Sequence, residues 1–267
     1  MKIRTIALNT LGSFLRDKLI ILFCALFVCI VLLMMTPMLA MKAAATGENA
    51  AQMQTVVLGI VSAIMYFVSG FGSMLAAWAA ADSVATEMKT GTILAVMARP
   101  VKRWEFLLGK FLGVMMLMSI YVLLMFGLSY LLAWMGGERI QSHPWVLLVY
   151  PLVRYAVFAA IAMLLVTVLH PVFSFAIVAI LSVVALIVAP GQQVSNKFLA
   201  ALKTTLYIIL PSTTLLSEDR FLSITKASLT QTGWLEHVTT IAYGLDYAFV
   251  FLLLAMWSFH YRSLKRD

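Results

Sequence analysis

The chain has 267 residues, 63% of them hydrophobic and only 11% charged, with a mean hydropathy of +1.00. Soluble domains average roughly 45–50% and about 25%, so this apolar surface cannot be hidden inside one globule, and lipid is the solvent for most of the chain. The net charge of +8 would suggest nucleic acid in a soluble protein; here it is read through the placement of each charge relative to a membrane.

Residues 1–18, MKIRTIALNTLGSFLRDK, place Ile3, Ile6, Ala7, Leu11, Phe14 and Leu15 on one face at helical spacing, with Lys2, Arg4, Asn9, Ser13 and Arg16 elsewhere. This is a basic amphipathic (elbow) helix expected to lie in the inner membrane interface. Leu19 to Met41 follows without a charge. It is too long for the apolar core of a signal peptide and reads as a retained span. Cys24 and Cys29, five residues apart within it, have neither a metal-ligand nor a disulfide spacing. Met34, Met35, Met38 and Met41 have no cysteine or histidine close by and read as apolar filler rather than a soft-metal site.

Asn49 to Ala81 is the second charge-free run. Gly59 with Ala63, Ser69 with Ser73 and Ala77, and Gly72 with Ala76 recur at four-residue spacing, a pattern that lets helices approach closely. That stripe fits packing within the chain, a dimer seam or a substrate path. Phe111 to Gly137 is the third run. Tyr155 to Asn196 is charge-free over a length sufficient for two crossings, and His170-Pro171 divides it into Pro151–Leu169 and Val172–Ala189. The last run, Ile241 to Tyr261, holds one charge, Asp246. Arg154 and Asp246 lie at similar depths near the outer ends of their spans, where an intramembrane pair or simple snorkelling would account for them.

These runs predict an all-α membrane protein with six spans. With both termini in the cytoplasm, segments 1–18, 82–110 and 262–267 carry twelve of the 19 Lys and Arg residues, and the longer outer loops carry six. The bias follows the positive-inside rule and accounts for most of the net charge, so no nucleic-acid partner is expected.

The loop from Ala81 to Gly113 reads ADSVATEMKTGTILAVMARPVKRWEFLLGKFLG. Ser83 through Met97 suits a helix with Asp82 or Ser83 as its N-cap. Pro100 ends it, and a second helix begins near Lys102–Trp104 and runs into the third span. Arg99, Lys102 and Arg103 supply charge for a soluble partner and Trp104 an aromatic contact; as positive-inside anchors they would equally make sense. Glu87 suits either such a contact or pairing with Lys89 or Arg103.

Glu87, Gly91-Thr92, Arg99-Pro100, Arg103 and Gly109-Lys110 together resemble the ABC-2 type permeases of ATP-driven transporters. The resemblance is close over this loop, and six spans with an amphipathic start agree with it elsewhere. It implies a fold like that of ABC-2 (type V) exporters, with a coupling helix in the 82–110 loop seated on an ATPase subunit. Glu87, Gly91, Thr92, Arg99, Pro100, Lys102, Arg103 and Trp104 are then the ATPase-coupling residues. It also implies a pair of ATPase subunits carrying ATP and Mg. Six spans make a poor enclosed path, so a second permease copy is expected as a homodimer, among membrane lipids in a bacterial cytoplasmic (inner) membrane.

The chain has no G-x-x-x-x-G-K-[ST] loop, since Gly109-Lys110 is followed by Phe111 and lacks the earlier glycine. ATP hydrolysis is therefore expected in a separate subunit, with no cofactor, metal site or catalytic residue in this chain. The histidines His143, His170, His237 and His260 fall in loops or span ends on different segments. Residues 191–240 form a long outer connection in which Phe198, Leu199, Leu202, Leu206 and Ile209 make one apolar face ended by Pro211. That segment is an outer gate, a surface cover or a dock for an extracytoplasmic partner. The last option supports an alternative reading, a non-transporting subunit that passes ATPase motion to such a partner.

Overall fold

The computed structural model describes residues 2–18, 20–22, 25–26, 28–33, 50–90, 102–135, 144–187 and 234–261. Every regular element among them is a helix. They are α1 (Lys2–Arg16), α2 (within 18–33), α3 (Ala50–Thr90), α4 (Arg103–Met135), α5 (Pro144–Val168), α6 (Pro171–Ile187) and α7 (Trp234–Tyr261). Among the described residues, three stretches are long and apolar enough to cross a membrane: Arg103–Leu128, Leu148–Val168 and Trp234–Tyr261.

Helix α5 is the centre of the bundle. It packs against α3, α4, α6 and α7, and its apolar stretch is 78% buried, against 44% for α4 and 28% for α7. The cause is its sequence: Ala156, Ala159, Ala160 and Ala162 are buried together with Tyr155, Phe158 and Met163, so the helix is covered all round. Helix α7 meets it through a stripe of small residues, Thr240, Gly244, Ala248 and Ala255. Two side-chain hydrogen bonds close the seam at its ends. Tyr150 Oη and His237 Nδ1 lie 2.9 Å apart at one, and Thr167 Oγ1 and Ser258 Oγ lie 2.8 Å apart at the other.

Helix α3 uses its small residues in the same way. Ser69, Gly72, Ser73, Ala76 and Ala77 are buried within the chain, so this part of the stripe serves intrachain packing, whereas Gly59 is exposed. A Cβ on Gly72 would fall 2.2 Å from Tyr155 Oη and 2.7 Å from Tyr121 Cε1. Tyr121 Oη crosses this narrow seam and donates to the Val68 carbonyl at 2.8 Å.

Helix boundaries differ from hydropathy boundaries in three places. Helix α3 runs unbroken through Asp82 and Ser83, which are therefore not N-caps: Ser83 Oγ donates to the Ala80 carbonyl at 2.9 Å, and Asp82 Oδ1 accepts from Thr86 Oγ1 at 3.1 Å. Helix α5 starts at Pro144, with Pro151 inside it, rather than at Pro151. Helix α7 starts at Trp234, seven residues before the apolar run. The break at His170-Pro171 falls where proline chemistry puts it. Pro171 takes the first position of α6, where no N–H is needed, and the His170 carbonyl accepts from Ser174 N at 3.0 Å.

Helix α1 packs on the first turns of α4. Gly109 and Gly113, one turn apart, form the floor: a Cβ on Gly109 would fall 2.7 Å from Ile6 Cβ, and one on Gly113 would fall 2.7 Å from Thr10 Cβ and 2.9 Å from the Ala7 carbonyl oxygen. Ala7, Thr10 and Phe14 are buried there, while Leu15, expected on the same face, is 52% exposed. The Thr10 hydroxyl donates to the Ile6 carbonyl at 2.8 Å, so burying it leaves no orphaned polar group. Gly127, by contrast, faces open space. Gly113→Val should therefore destabilise the protein by about 1–3 kcal/mol, read as a lowered melting temperature in nanodiscs, while Gly127→Val should not. Equal melting of the two variants would contradict this packing.

Candidate functional site

The loop that sequence reasoning singled out has its centre, 91–101, outside the described residues. Gly91, Thr92, Arg99 and Pro100 fall there. Its two flanks, the end of α3 and the start of α4, are described, and they are fastened to the rest of the bundle.

The first fastening is an ion pair. Glu87 on the last turns of α3 pairs through Oε1 with Lys110 Nζ on the second turn of α4. The Lys110 side chain is 8% exposed and that of Glu87 24%. A buried ammonium needs such a partner, because desolvation alone would cost several kcal/mol. Lys110 Nζ also stands 5.7 Å from the centroid of the Phe106 ring, whose face attracts a cation. Glu87 Oε2 is buried without a hydrogen-bond partner among the described residues.

The second fastening is a helix cap. Arg103 Nη1 donates to the Phe259 carbonyl at 3.2 Å and to the His260 carbonyl at 2.7 Å. These are carbonyls of the last turn of α7, which lack intrahelical donors and carry the negative end of the helix dipole. Phe106, one turn beyond Arg103, stacks on Phe259 with ring centroids 6.0 Å apart. Arg103, Phe106 and Lys110 follow the i, i+3, i+7 spacing of one helix face. A single stripe on α4 thus holds α3 through Glu87 and α7 through its terminal carbonyls.

The start of α4 has its own cap. Glu105 Oε2 accepts from the Lys102 N–H at 2.9 Å, and the Lys102 carbonyl accepts from Phe106 N at 3.2 Å. This is the backward-reaching half of a capping box. Lys102 is exposed and Trp104 is 44% exposed. Of the predicted coupling residues that are described, two therefore face outward, Lys102 and Trp104, and two are engaged inside the protein, Glu87 and Arg103.

Arg154 and Asp246 are not brought together. Arg154 is buried, and its Nε donates to Ser73 Oγ at 3.1 Å; that hydroxyl donates in turn to the Ser69 carbonyl at 3.0 Å. Asp246 lies on the exposed side of α7. Sequence reasoning missed Lys110 as the partner of Glu87. The available signal was that Lys110 is the only charge in α4 beyond Glu105. It also missed the Tyr150–His237 bond, which joins residues 87 positions apart.

The family model of the ABC-2 family transporter proteins matches residues 4–264, nearly the whole chain and every helix described above except the first two residues of α1. The chain belongs to the ABC-2 transporter family. No curated protein matches it. Membership makes this ABC-2 protein a membrane component of a transporter, and its helical, apolar architecture agrees.

The ion pair makes a direct prediction. Glu87→Gln leaves a buried ammonium without its counter-charge and should destabilise the protein by about 3 kcal/mol, and Lys110→Met should cost less. The double variant should recover most of the loss, because replacing both charges removes the desolvation penalty together with the attraction. Thermal unfolding in nanodiscs reads this, and a double variant no more stable than Glu87→Gln would contradict it.

Proposed function

We propose that this protein is the permease subunit of an ATP-binding cassette transporter, with a separate ATPase subunit docking on the 82–110 loop. The observation that supports it best is the division of labour around that loop. Lys102 and Trp104 are exposed where the loop leads into α4, while Glu87–Lys110 and Arg103 tie both flanks to α3, α4 and α7. A push on the loop then moves three packed helices and, through Gly109 and Gly113, α1 as well. Arg99, Gly91, Thr92 and Pro100 complete the docking element.

In this reading the chain crosses the membrane six times, with both termini on the cytoplasmic side of a bacterial inner membrane. Two copies form a homodimer, and two ATPase subunits hold ATP and Mg. The direction is export, in keeping with the family resemblance of the loop. The alternative, a relay to an extracytoplasmic partner at 191–240, falls almost wholly outside the described residues, and no observation favours it.

Two classes of variant should separate docking from transmission. In a reconstituted complex, Lys102→Gln should weaken ATPase binding by about tenfold, the loss of one charged contact. Glu87→Gln should leave that affinity within about twofold while reducing the stimulation of ATP hydrolysis by the permease. Unchanged binding in the first variant, together with unchanged stimulation in the second, would overturn the reading.

A further inference from the structure

Asp246 occupies an expensive position. Helix α7 runs from Trp234 to Tyr261, and Asp246 lies twelve residues from its first residue and fifteen from its last. At ~1.5 Å per residue these are about 18 and 22 Å along the axis. A hydrocarbon layer of about 30 Å cannot be slid along this helix so as to leave Asp246 outside it: with all the excess helix placed at the Trp234 end, the residue still lies about 8 Å below the boundary.

Its direction compounds the cost. The buried stripe of α7 is His237, Thr240, Gly244, Ala248, Leu252, Ala255 and Phe259. Asp246 stands almost opposite, among exposed Ala242, Phe249, Val250 and Leu253. An ionised carboxylate facing hydrocarbon at this depth is strongly unfavourable, and intramembrane acids are found facing water or a cationic partner.

The neighbours of Asp246 specify which partner fits. On a helix, residues three apart are neighbours. Tyr243 stands one turn before Asp246 and Phe249 one turn after it, the latter 60% exposed. The Tyr243 ring is held by Tyr247, with centroids 4.8 Å apart, and Tyr247 in turn lies 6.2 Å from Phe251. A carboxylate between two aromatic rings on an apolar surface matches the chemistry of a lipophilic organic cation: the charge meets the carboxylate and the ring faces, and the apolar body meets the helix.

We infer that Asp246, Tyr243 and Phe249 form a membrane-depth binding site for lipophilic organic cations on the outward face of α7. This rests on the permease reading for its purpose, since such a site would receive the transported molecule, but its binding chemistry stands apart from ATPase docking.

The test uses the permease alone in nanodiscs, so a failure of ATPase coupling does not affect it. Tetraphenylphosphonium binding is measured by equilibrium dialysis against empty nanodiscs, with tetraphenylborate, of the same shape and opposite charge, as the control. The wild type should bind the phosphonium saturably above the lipid background. Asp246→Asn should bind it about tenfold more weakly, the loss of one charged contact, while Asp246→Glu retains it. Binding of the borate should not fall in the Asn variant. Equal phosphonium binding by wild type and Asp246→Asn, or no binding above empty nanodiscs, would overturn the site. So would disulfide formation between the cysteines of two Val250→Cys copies, which keep Asp246, at a rate that tetraphenylphosphonium does not slow, because this face would then be a contact between copies.

Discussion

The arrangement depends on a buried ammonium. Lys110 sits where α4 passes beneath α1 and beside α3, and it is almost fully removed from solvent. A lone charge there would be untenable, so Glu87 must stay beside it and the end of α3 must stay beside the start of α4. The attraction is also directional. It fixes how far along α3 the chain leaves the bundle and how far along α4 it returns, and so sets the span that the segment between them must cover. Gly109 next to Lys110 gives the same turn of α4 a second task, that of receiving α1.

The rest of the bundle supplies the stiffness that such a junction requires. Helix α5 is covered on all sides, and α3 and α7 lie close to it because their facing residues are small. Polar side chains then fix the register: Tyr150 with His237, Thr167 with Ser258, and Arg154 with Ser73. Each joins α5 to a different height of a neighbour. Apolar helices in an apolar solvent gain little from mere contact, so close packing and these hydrogen bonds carry the association. A displacement of α3 or α7 at the loop end is therefore passed along α5 rather than absorbed beside it.

Much of this was legible in the sequence, for reasons that are local. Charge-free runs gave the apolar helices, the His170-Pro171 break follows from the missing N–H of proline, and the periodicity from Ile3 to Phe14 gave α1. What was not legible depends on long-range partners or on the difference between a hydropathy boundary and a backbone boundary. Asp82 and Ser83 begin the polar stretch but do not interrupt α3, because nothing there prevents the backbone from continuing and Ser83 bonds back to Ala80. Arg103 looks the same in sequence whether it meets a partner protein or caps α7, whose carbonyls lie 156 and 157 residues away. His237 reads as a loop residue until Tyr150 is seen opposite it. Asp246 reads as a partner for Arg154 at the same depth until Arg154 is seen bonded to Ser73 and Asp246 on the exposed side of α7.

The central claim is that the end of α3 and the start of α4 behave as one mechanical unit through which the loop is moved. Hydrogen–deuterium exchange of the reconstituted complex, with and without ATP, tests it most directly. The account predicts that amides in 83–90 and 103–113 change their protection together when the nucleotide binds. A change confined to one of these stretches, with the other exchanging as before, would contradict it.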